Sequence, residues 1–396
     1  MKLVRGSVAR AVAVVLTLSA GAAAVAATGT TSAVAADQSV TMNVLPPVSQ
    51  PGSTPAGASG AQTAVAVTVT PTTAGRPVRV ERLSGRSWKV VAKATTDARG
   101  VVELSVATYA GGSPVTYRAT AAAFQGLPAV TSASALSTRW GAPDFTDEFS
   151  GTALGASWSN RGQDYNAAGL RRCSKGSPQA VQVASGAVRL SVIRDPARTE
   201  LCTAYRANGD VIGDFSYRLN GHISTAGQQE LTYGVVAARV RFQEPPGQHG
   251  AFWLQPSVPV PGATSAAEGG AEIDVIEWFG AGLPSGGLSA SVYYPTTGGQ
   301  AKAGGWIANP GSYLSGQGDS WWSRYHVFSA EWSPSGYVFR IDGRETWRTS
   351  LGVSERPQYV ILSLLSSDYE LPGLGGEDRL PQHMYVDWVQ FWRAVG

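Results

Sequence analysis

Three acidic residues, Glu272, Asp274 and Glu277, lie within six positions of a chain in which only 15% of the residues are charged. They belong to the sequence Glu-Ile-Asp-Val-Ile-Glu, which has glycines on both sides. Acids interleaved with Ile and Val rarely serve solubility alone, and clustered carboxyl groups are common in catalytic sites. The alternative is a strand with a solvated polar face. Three like charges on one face repel one another, however, so an inert surface is the poorer explanation.

The local secondary structure decides whether these three carboxyl groups can act together. On an α-helix, at about 100° per residue, they would scatter around the cylinder. On a regular strand, Glu272 and Asp274 share a face and Glu277 points away. One extra residue near Val275 and Ile276, a β-bulge, would return Glu277 to that face. The β-branched residues favour a strand, so the sequence predicts a bulged strand with all three acids on one side.

Two carboxyl groups that flank a glycosidic bond are the working groups of most glycoside hydrolases. In a bulged strand the backbones of Glu272 and Glu277 lie about 13 Å apart. Two glutamates that lean together over a concave sheet can bring their carboxyl groups to about 5–5.5 Å, which is the separation of a retaining, double-displacement mechanism. An inverting enzyme needs a wider gap for its water molecule. The pattern therefore favours retaining glycoside hydrolysis.

Residues 1–36 have the composition of a secretory signal peptide, with three basic residues, an apolar stretch at 11–27 and a small-residue cleavage site at 33–35. These basic residues account for the whole formal net charge of +3, because the rest of the chain holds 28 Lys+Arg and 28 Asp+Glu. The basic pI is therefore no argument for a nucleic-acid partner. No other run is apolar enough to span a bilayer. We expect a secreted, extracellular monomer without a membrane anchor after signal cleavage.

The two cysteines, Cys173 and Cys202, are 29 positions apart. In an exported protein a disulfide is the natural interpretation, and two buried thiols are the alternative. A zinc site would need more ligands at closer spacing, and the four histidines are scattered along the chain.

Short alternating strands separated by turn residues cover the chain, and no long amphipathic helix is evident. In the first part, strands are predicted at 64–69, 78–83, 88–94, 101–106 and 114–122, which indicates a small β-sandwich domain over 40–136. A linker follows at 137–143. Eleven of the twelve Trp residues lie beyond residue 137. In the larger domain, 144–396, strands are predicted at 233–242, 337–341, 345–349, 359–365 and 384–392, with a tight hairpin turn at Asp342-Gly343. The predicted fold class is all-β, with two sheets packed face to face in the larger domain.

The acidic run and the segments around it resemble glycoside hydrolase family 16 in its bulged, laminarinase-like form. The resemblance covers most of 144–396 and begins at Phe-Thr-Asp-Glu-Phe (145–149). Before the acids it includes Gly-His-Ile-Ser-Thr (221–225), Ala-Arg-Val (238–240) and Gly-Ala-Phe-Trp-Leu (250–254). After them it includes His-Val-Phe-Ser-Ala-Glu-Trp (326–332), Ile-Asp-Gly (341–343) and Tyr-Val-Asp-Trp-Val (385–389). The N-terminal domain resembles a bacterial immunoglobulin-like accessory domain at Ala-Gly-Arg-Pro-Val (74–78), Trp-Lys-Val (88–90) and Thr-Thr-Asp-Ala-Arg-Gly (95–100).

This resemblance implies a concanavalin-like β-jelly-roll sandwich whose concave face binds a polysaccharide, and a hydrolase of the endo-β-1,3-glucanase type. Glu272 would be the nucleophile, Glu277 the general acid and then the base, and Asp274 the residue that hydrogen-bonds to Glu272 and tunes it. The chemistry needs no cofactor. Mixed-linkage β-1,3-1,4-glucan and galactans remain alternative substrates. A transglycosylase and a non-catalytic carbohydrate-binding protein remain alternative functions.

Aromatic side chains suit the faces of sugars, so Trp253, Trp278 and Tyr294 are candidate substrate-binding residues, with core packing as the alternative. His249 stands where members of the resembled family often carry a Trp that lines the cleft. It is a candidate to hydrogen-bond a sugar hydroxyl.

The resemblance also implies a structural calcium ion on the convex side of the sandwich. The matching positions are Glu148, the carbonyl of Gly186 and Asp387. Oxygen ligands suit calcium, and ion pairing at the surface is the alternative role for the two acids.

Overall fold

The computed structural model describes residues 37–394. The predicted signal peptide lies outside the described residues. Within the described part, no helix is long and apolar enough to cross a membrane. The helices there are short: α1 (Ala266–Gly269) and 3₁₀ segments at Ala58–Gly60, Pro178–Ala180, Pro310–Tyr313, Asp368–Leu374 and Glu377–Arg379.

The N-terminal part consists of short antiparallel strands in two main sheets. The strands are β1 (Ser39–Ser49), β2 (Gln62–Thr70), β3 (Pro77–Ser84), β4 (Ser87–Thr95), β5 (Val101–Val106), β6 (Tyr109–Ala110), β7 (Ser113–Pro114), β8 (Thr116–Ala121), β9 (Val130–Thr131) and β10 (Ala135–Leu136). One sheet has the order β1-β2-β5 and the other β10-β8-β3-β4, with β9 beside β8. Val65 and Val67 of the first sheet pack with Val80 and Tyr117 of the second in one buried cluster. The predicted strands and the two-sheet arrangement are confirmed.

The larger part is one almost closed sheet that folds over itself into two layers. Its strands, with the small hairpin β16–β17, are β11 (Phe145–Asp147), β12 (Ser159–Asn160), β13 (Ser174–Gly176), β14 (Val181–Ala184), β15 (Ala187–Arg194), β16 (Leu201–Tyr205), β17 (Val211–Ser216), β18 (Arg218–Ser224), β19 (Gly234–Arg241), β20 (His249–Pro256), β21 (Glu272–Trp278), β22 (Leu288–Thr296), β23 (Gly299–Trp306), β24 (His326–Ser333), β25 (Gly336–Ile341), β26 (Arg344–Thr349), β27 (Gln358–Leu365) and β28 (Gln382–Trp392). The order is β23-β22-β21-β20-β27-β18-β15-β28-β19-β24-β25-β26. We call the first six strands the cleft layer and the last six the back layer.

The main hydrophobic core lies between the cleft layer and the back layer. Phe252, Ile273 and Leu362 of the cleft layer share one buried cluster with Val236 and Phe328 of the back layer. Apolar residues at every second position supply this core, as the pleat of a strand requires. The all-β jelly-roll sandwich that the sequence predicts is confirmed. The predicted hairpin turn is confirmed as well, because Ile341 pairs with Arg344 around a two-residue loop.

The outer face of the back layer is covered by the segment that follows β1. Ala58 and Ala61 of that segment share a buried cluster with Ala237, Trp388 and Trp392. Because β19 alternates, Val236, Ala238 and Val240 enter the main core, whereas Arg239 faces this covering segment. The predicted domain boundaries, 40–136, 137–143 and 144–396, stay a prediction.

A disulfide joins Cys173 to Cys202, with 5.5 Å between the Cα atoms, so the predicted pairing is confirmed. It connects the segment before β13 to the hairpin β16–β17. Both cysteines pack on Leu371 of the 3₁₀ segment Asp368–Leu374. The Asp368 carboxylate also accepts the backbone N–H of Cys173 at 3.2 Å. The crosslink thus anchors the 3₁₀ segment that carries Glu370.

Candidate active site

The pairing of β21 with its neighbours explains how three acids come to share one face. Each of the three acids pairs with a residue of β22: Glu272 with Tyr293, Asp274 with Ser291, and Glu277 with Ser289. These partners are at every second position of β22, so their side chains share one face. Between Asp274 and Glu277, however, β21 contains two residues where β22 has one, and both are buried. This is the predicted β-bulge, and it is confirmed. The extra apolar residue enters the core, and Glu277 returns to the side of the other two acids.

The three acids line one cavity of about 400 Å³ on the cleft layer. The cavity is lined by Arg161, Gly162, Gln163, Arg171, His222, His249, Ala251, Trp253, Gln255, Glu272, Asp274, Glu277, Ser363 and Leu365. Two of the four side chains predicted to bind substrate, His249 and Trp253, are therefore next to the acids.

Glu272 is oriented by an amide that sequence reasoning missed. Gln255 Nε2 donates a hydrogen bond of 2.9 Å to Glu272 Oε2. Gln255 Oε1 in turn accepts from the Tyr359 hydroxyl at 3.1 Å and from Arg161 at 3.3 Å. These contacts fix the amide so that it presents its N–H to the carboxylate.

The other two acids hold their protons more tightly than ordinary carboxyl groups. Burial raises the pKa of Asp274 well above its usual value, and the charges of Glu277 and Glu272 raise it further. Burial also raises the pKa of Glu277, against the opposing effects of His249 and Lys302. Close carboxyl groups cannot all ionise easily, so the cavity contains a carboxyl group that keeps its proton at higher pH than usual. Acid-assisted displacement at a sugar carbon requires such a proton donor.

His249 forms a buried pair with Glu370. Its Nδ1 donates to Glu370 Oε1 at 2.8 Å, and Glu370 is itself held by the backbone N–H of Ser367 at 2.8 Å. Burial opposes a charge on the imidazole, but Glu370 and then Glu277 outweigh burial, and the pKa of His249 is raised. Because Nδ1 is hydrogen-bonded to Glu370, Nε2 is the ring nitrogen that can hydrogen-bond to a ligand. The His249 cation in turn lowers the pKa of Glu277.

Trp253 and Trp278 have different surroundings, although both were predicted to bind substrate. Trp253 lines the cavity, and its Nε1 donates to Ser363 Oγ at 3.1 Å. Trp278 is 2% exposed, and its Nε1 donates to the carbonyl of Gln243 at 2.7 Å. The prediction for Trp278 is wrong, because strand alternation after Glu277 turns the indole into the core.

Tyr294 borders a second groove, of about 550 Å³, that also reaches Glu272. It packs against the main core, however, and a Cβ added to Gly352 would lie 2.3 Å from its ring. Tyr293 is the residue that pairs with Glu272, so Tyr293 shares the face of the acids. Tyr293 is therefore the better candidate for a sugar platform, and the alternation of β22 was the signal that could have identified it.

The residues predicted to bind calcium do not fit that ion. The Asp387 carboxylate forms an ion pair with Arg239 and accepts the backbone N–H of Ala56 at 3.0 Å. Glu148 Oε1 accepts the backbone N–H of Ala58 at 2.7 Å. Calcium needs several oxygen atoms around it, but here a guanidinium and two N–H donors surround the carboxylates. These contacts favour Arg239 and the covering segment over a metal as the partners of Asp387 and Glu148, and the calcium site itself stays a prediction.

Arg239 should therefore supply the positive charge that stabilises the buried carboxylate of Asp387. Arg239→Met leaves Asp387 buried without its partner, and we expect a loss of about 3–5 kcal/mol in the free energy of unfolding, measured with urea. In the control, Arg241→Met removes a guanidinium that lies 4.4 Å from the Tyr385 ring, and the expected loss is about 1 kcal/mol.

Calcium and its chelators should have little effect on the same protein. A site filled to 100 times its Kd would add about 2.7 kcal/mol to stability. We therefore expect the midpoint of thermal unfolding to be the same in EDTA and in millimolar calcium chloride. A midpoint that rises by several degrees with calcium would contradict the preference for Arg239 over a metal.

Arg161, Arg171 and His222 also line the cavity, and none of the three was predicted. His222 belongs to the segment 221–225 that resembles family 16, but that resemblance does not indicate which face of the strand the side chain occupies. The two arginines lie between β12 and β13, where no periodic pattern shows the direction of a side chain.

A model of the family described as "Glycosyl hydrolases family 16" matches residues 177–389. Among curated proteins, "Glucan endo-1,3-beta-glucosidase A1" from Niallia circulans is 28% identical over 191 residues, which are 44% of this chain and 26% of that protein. The chain thus spans about a quarter of the length of this relative.

Solved structures with a similar chain trace include the catalytic domain of an endo-1,3-beta-glucanase (laminarinase) from Thermotoga petrophila, with 16% identity and a TM-score of 0.48. The alignment covers 64% of this chain and 98% of that one. The laminarinase from Rhodothermus marinus aligns with the same identity, TM-score and coverages.

Proposed function

The chain belongs to family 16 of the glycosyl hydrolases, whose model matches more than half of it, and on this premise we propose that it hydrolyses β-1,3-linked glucan of the laminarin type. The observation that carries the proposal is the bulge in β21, because it brings two glutamates and an aspartate to one face inside a single cavity. We further propose that the enzyme is endo-acting, retaining, monomeric and secreted, and that its N-terminal sheets form an immunoglobulin-like accessory domain.

In the proposed mechanism Glu272 attacks the anomeric carbon, which forms a glycosyl–Glu272 bond as the bond to the leaving oxygen breaks. Glu277 gives its proton to that oxygen, so that the leaving sugar departs as an alcohol. Glu277 then takes a proton from water, whose oxygen attacks the same carbon and releases Glu272. Asp274, whose pKa is raised by burial, shares the face of Glu272 and, while protonated, adds no further negative charge beside it.

The choice of β-1,3-glucan rests on the bulged form of the acidic strand and on the named activity of the curated relative from Niallia circulans. Mixed-linkage β-1,3-1,4-glucan and galactans of the same family are the alternative substrates. The test is a panel of laminarin, mixed-linkage β-glucan and agarose, scored by the oligosaccharides released. We expect the fastest release from laminarin, with internal cleavage and a β-configured first product. Faster release from agarose would replace the glucan in this proposal by a galactan.

Two other functions can be separated with the same samples. A carbohydrate-binding protein would bind the glucans and release no reducing sugar. A transglycosylase would transfer the glycosyl group to an added acceptor sugar in preference to water. The raised pKa of Glu277 favours hydrolysis or transfer over mere binding, because binding needs no proton donor.

His249 should set the upper pH limit of activity through Glu277. Its positive charge lowers the pKa of Glu277, so His249→Asn should raise that pKa. Glu277 acts first as an acid and must be protonated, so the alkaline limb of the pH profile of kcat/KM should move to higher pH.

The matched control is His383→Asn, which changes a histidine of the back layer that bonds to Ser191. It should leave the alkaline limb in place. An alkaline limb that stays or moves to lower pH in His249→Asn would contradict the assigned effect of His249 on Glu277.

A further inference from the structure

Two arginines line the cavity without a carboxylate partner. Arg161 and Arg171 both lie between β12 and β13 and both border the cavity that holds the acids. Arg161 Nη1 and Arg171 Nε are enclosed and have no hydrogen-bond partner within residues 37–394. Neither guanidinium forms an ion pair within that part of the chain, although enclosed N–H groups and charges are costly when unpaired.

The three most deeply buried arginines of the cleft and back layers that form ion pairs give a comparison for these two half-buried ones. Arg218 pairs with Glu377, Arg239 with Asp387 and Arg340 with Glu331. Each of these charges is compensated inside the protein, as a buried charge normally is. Arg161 and Arg171 have no ion-pair partner among residues 37–394, and both border the cavity, so they leave positive charge and N–H donors available to a ligand that enters it.

His222 lies on the same wall of the cavity and adds neutral hydrogen-bonding groups. It is 6% exposed, and neither ring nitrogen has a partner among the described residues. Burial, and then the charges of Arg161 and Arg171, lower its pKa to about 3, so the ring stays neutral. A neutral imidazole offers one donor and one acceptor. Gln163 Oε1, also enclosed and unpartnered, is a further acceptor on this wall.

Arg161 is linked to Glu272 through the Gln255 amide, whereas His222 lies across the cleft layer from Glu277. His222 pairs with Ser363, Ser363 with Ala251, and Ala251 with Glu277. Three strand spacings thus separate His222 from Glu277, or about 14 Å between backbones. Arg161 is held in position by the rings of Trp253 and Tyr359, at 5.5 Å and 5.8 Å. We call Arg161, Gln163, Arg171 and His222 the basic wall.

We propose that the basic wall binds an anionic substituent, a carboxylate or a sulfate ester, on a sugar unit next to the scissile bond. This inference rests on the proposed hydrolase function and names its substrate class: a glycan that carries negative charge. A guanidinium donates two parallel hydrogen bonds to a carboxylate or sulfate, which gives both strength and orientation. A neutral sugar would displace water from the arginines and leave their charges uncompensated, which costs binding free energy.

The test compares three forms of one backbone: laminarin, carboxymethylated laminarin and sulfated laminarin. We expect kcat/KM at low salt to be at least tenfold higher for one of the two anionic forms than for laminarin. The form that is preferred identifies the anion as a carboxylate or a sulfate. Added sodium chloride should reduce the preference, because salt screens the attraction.

Variants locate the preference within the protein. Arg161→Gln and Arg171→Gln should each reduce the ratio of anionic to neutral kcat/KM by at least threefold. The matched control is Arg172→Gln, since the Arg172 guanidinium lies over the Tyr205 ring at 4.4 Å and does not line the cavity. It should keep the ratio of the unaltered protein. A ratio that stays the same in Arg161→Gln and Arg171→Gln overturns the assignment to the basic wall.

A binding measurement separates failure of this inference from failure of the proposed hydrolysis. Glu272→Gln is mixed in a calorimeter with laminarin oligosaccharides and with their carboxymethylated and sulfated forms. If the unaltered protein hydrolyses none of the three polymers, the proposed function fails, and a tenfold tighter Kd for an anionic oligosaccharide still supports the basic wall. If laminarin is hydrolysed and bound as well as both anionic forms, the hydrolase stands and this inference is overturned.

Discussion

Replacing Glu272 with Gln should lower kcat on laminarin by about 10⁴-fold. The reason is chemical, because a neutral amide does not displace a sugar oxygen from the anomeric carbon and no glycosyl–enzyme bond can form. The fold should survive, since the amide oxygen of the new side chain can still accept the N–H of Gln255, now 2.9 Å from Glu272. Reducing sugar released per second, together with the urea midpoint of unfolding, measures both effects.

The control for this variant is Glu268→Gln. Glu268 is an exposed residue of α1, just before β21, so the exchange removes the same charge outside the cavity. We expect kcat within twofold of the unaltered protein. Turnover of Glu272→Gln within tenfold of the unaltered protein would remove Glu272 from the role of nucleophile.

Replacing Glu277 with Ala should lower kcat on laminarin by about 10²- to 10⁴-fold, which is the usual contribution of a general acid and base. The loss should depend on the leaving group. A dinitrophenyl glycoside of laminaribiose needs no proton to depart, so formation of the glycosyl–Glu272 bond should stay fast and the intermediate should accumulate. A burst of dinitrophenolate, equal to the enzyme concentration, is the expected observation.

Azide tests the second half of the cycle in the same variant. Azide needs no base to attack, so added sodium azide should restore turnover and yield a glycosyl azide of β configuration. A product of α configuration would show a single inversion and would exclude the double displacement. The absence of any burst and of any effect of azide would show that Glu277 is not the acid and base.

The common face of the three acids in β21 was predictable because it depends only on the local sequence. Alternation along a strand places Glu272 and Asp274 together, and a single extra apolar residue before Glu277 indicates a bulge. The same rule, applied strictly, would have placed Trp278 in the core and Tyr293 on the cleft. The wrong prediction for Trp278, and the choice of Tyr294 before Tyr293, arose because aromatic residue type was given more weight than strand phase.

The rest of the site depends on contacts between segments that are far apart in the chain. Glu370 reaches His249 from 121 positions away, and Asp387 meets Arg239 and the N–H of Ala56 across 148 and 331 positions. No pattern of spacing in one sequence reports such distances. The direction of Arg161 and Arg171 was equally hidden, since both lie in irregular chain between short strands.

The bulge also has a consequence for how this strand tolerates changes in length. Face assignment along a strand is a matter of parity: residues an even number of steps apart share a side. Val275 and Ile276 are both buried, so they count as one step, and removing Val275 would leave Glu-Ile-Asp-Ile-Glu with perfect alternation and the same three acids on the cleft. Insertions elsewhere in β21 would invert every following side chain. Only at this buried pair can the strand lose one residue while the three acids keep their common face.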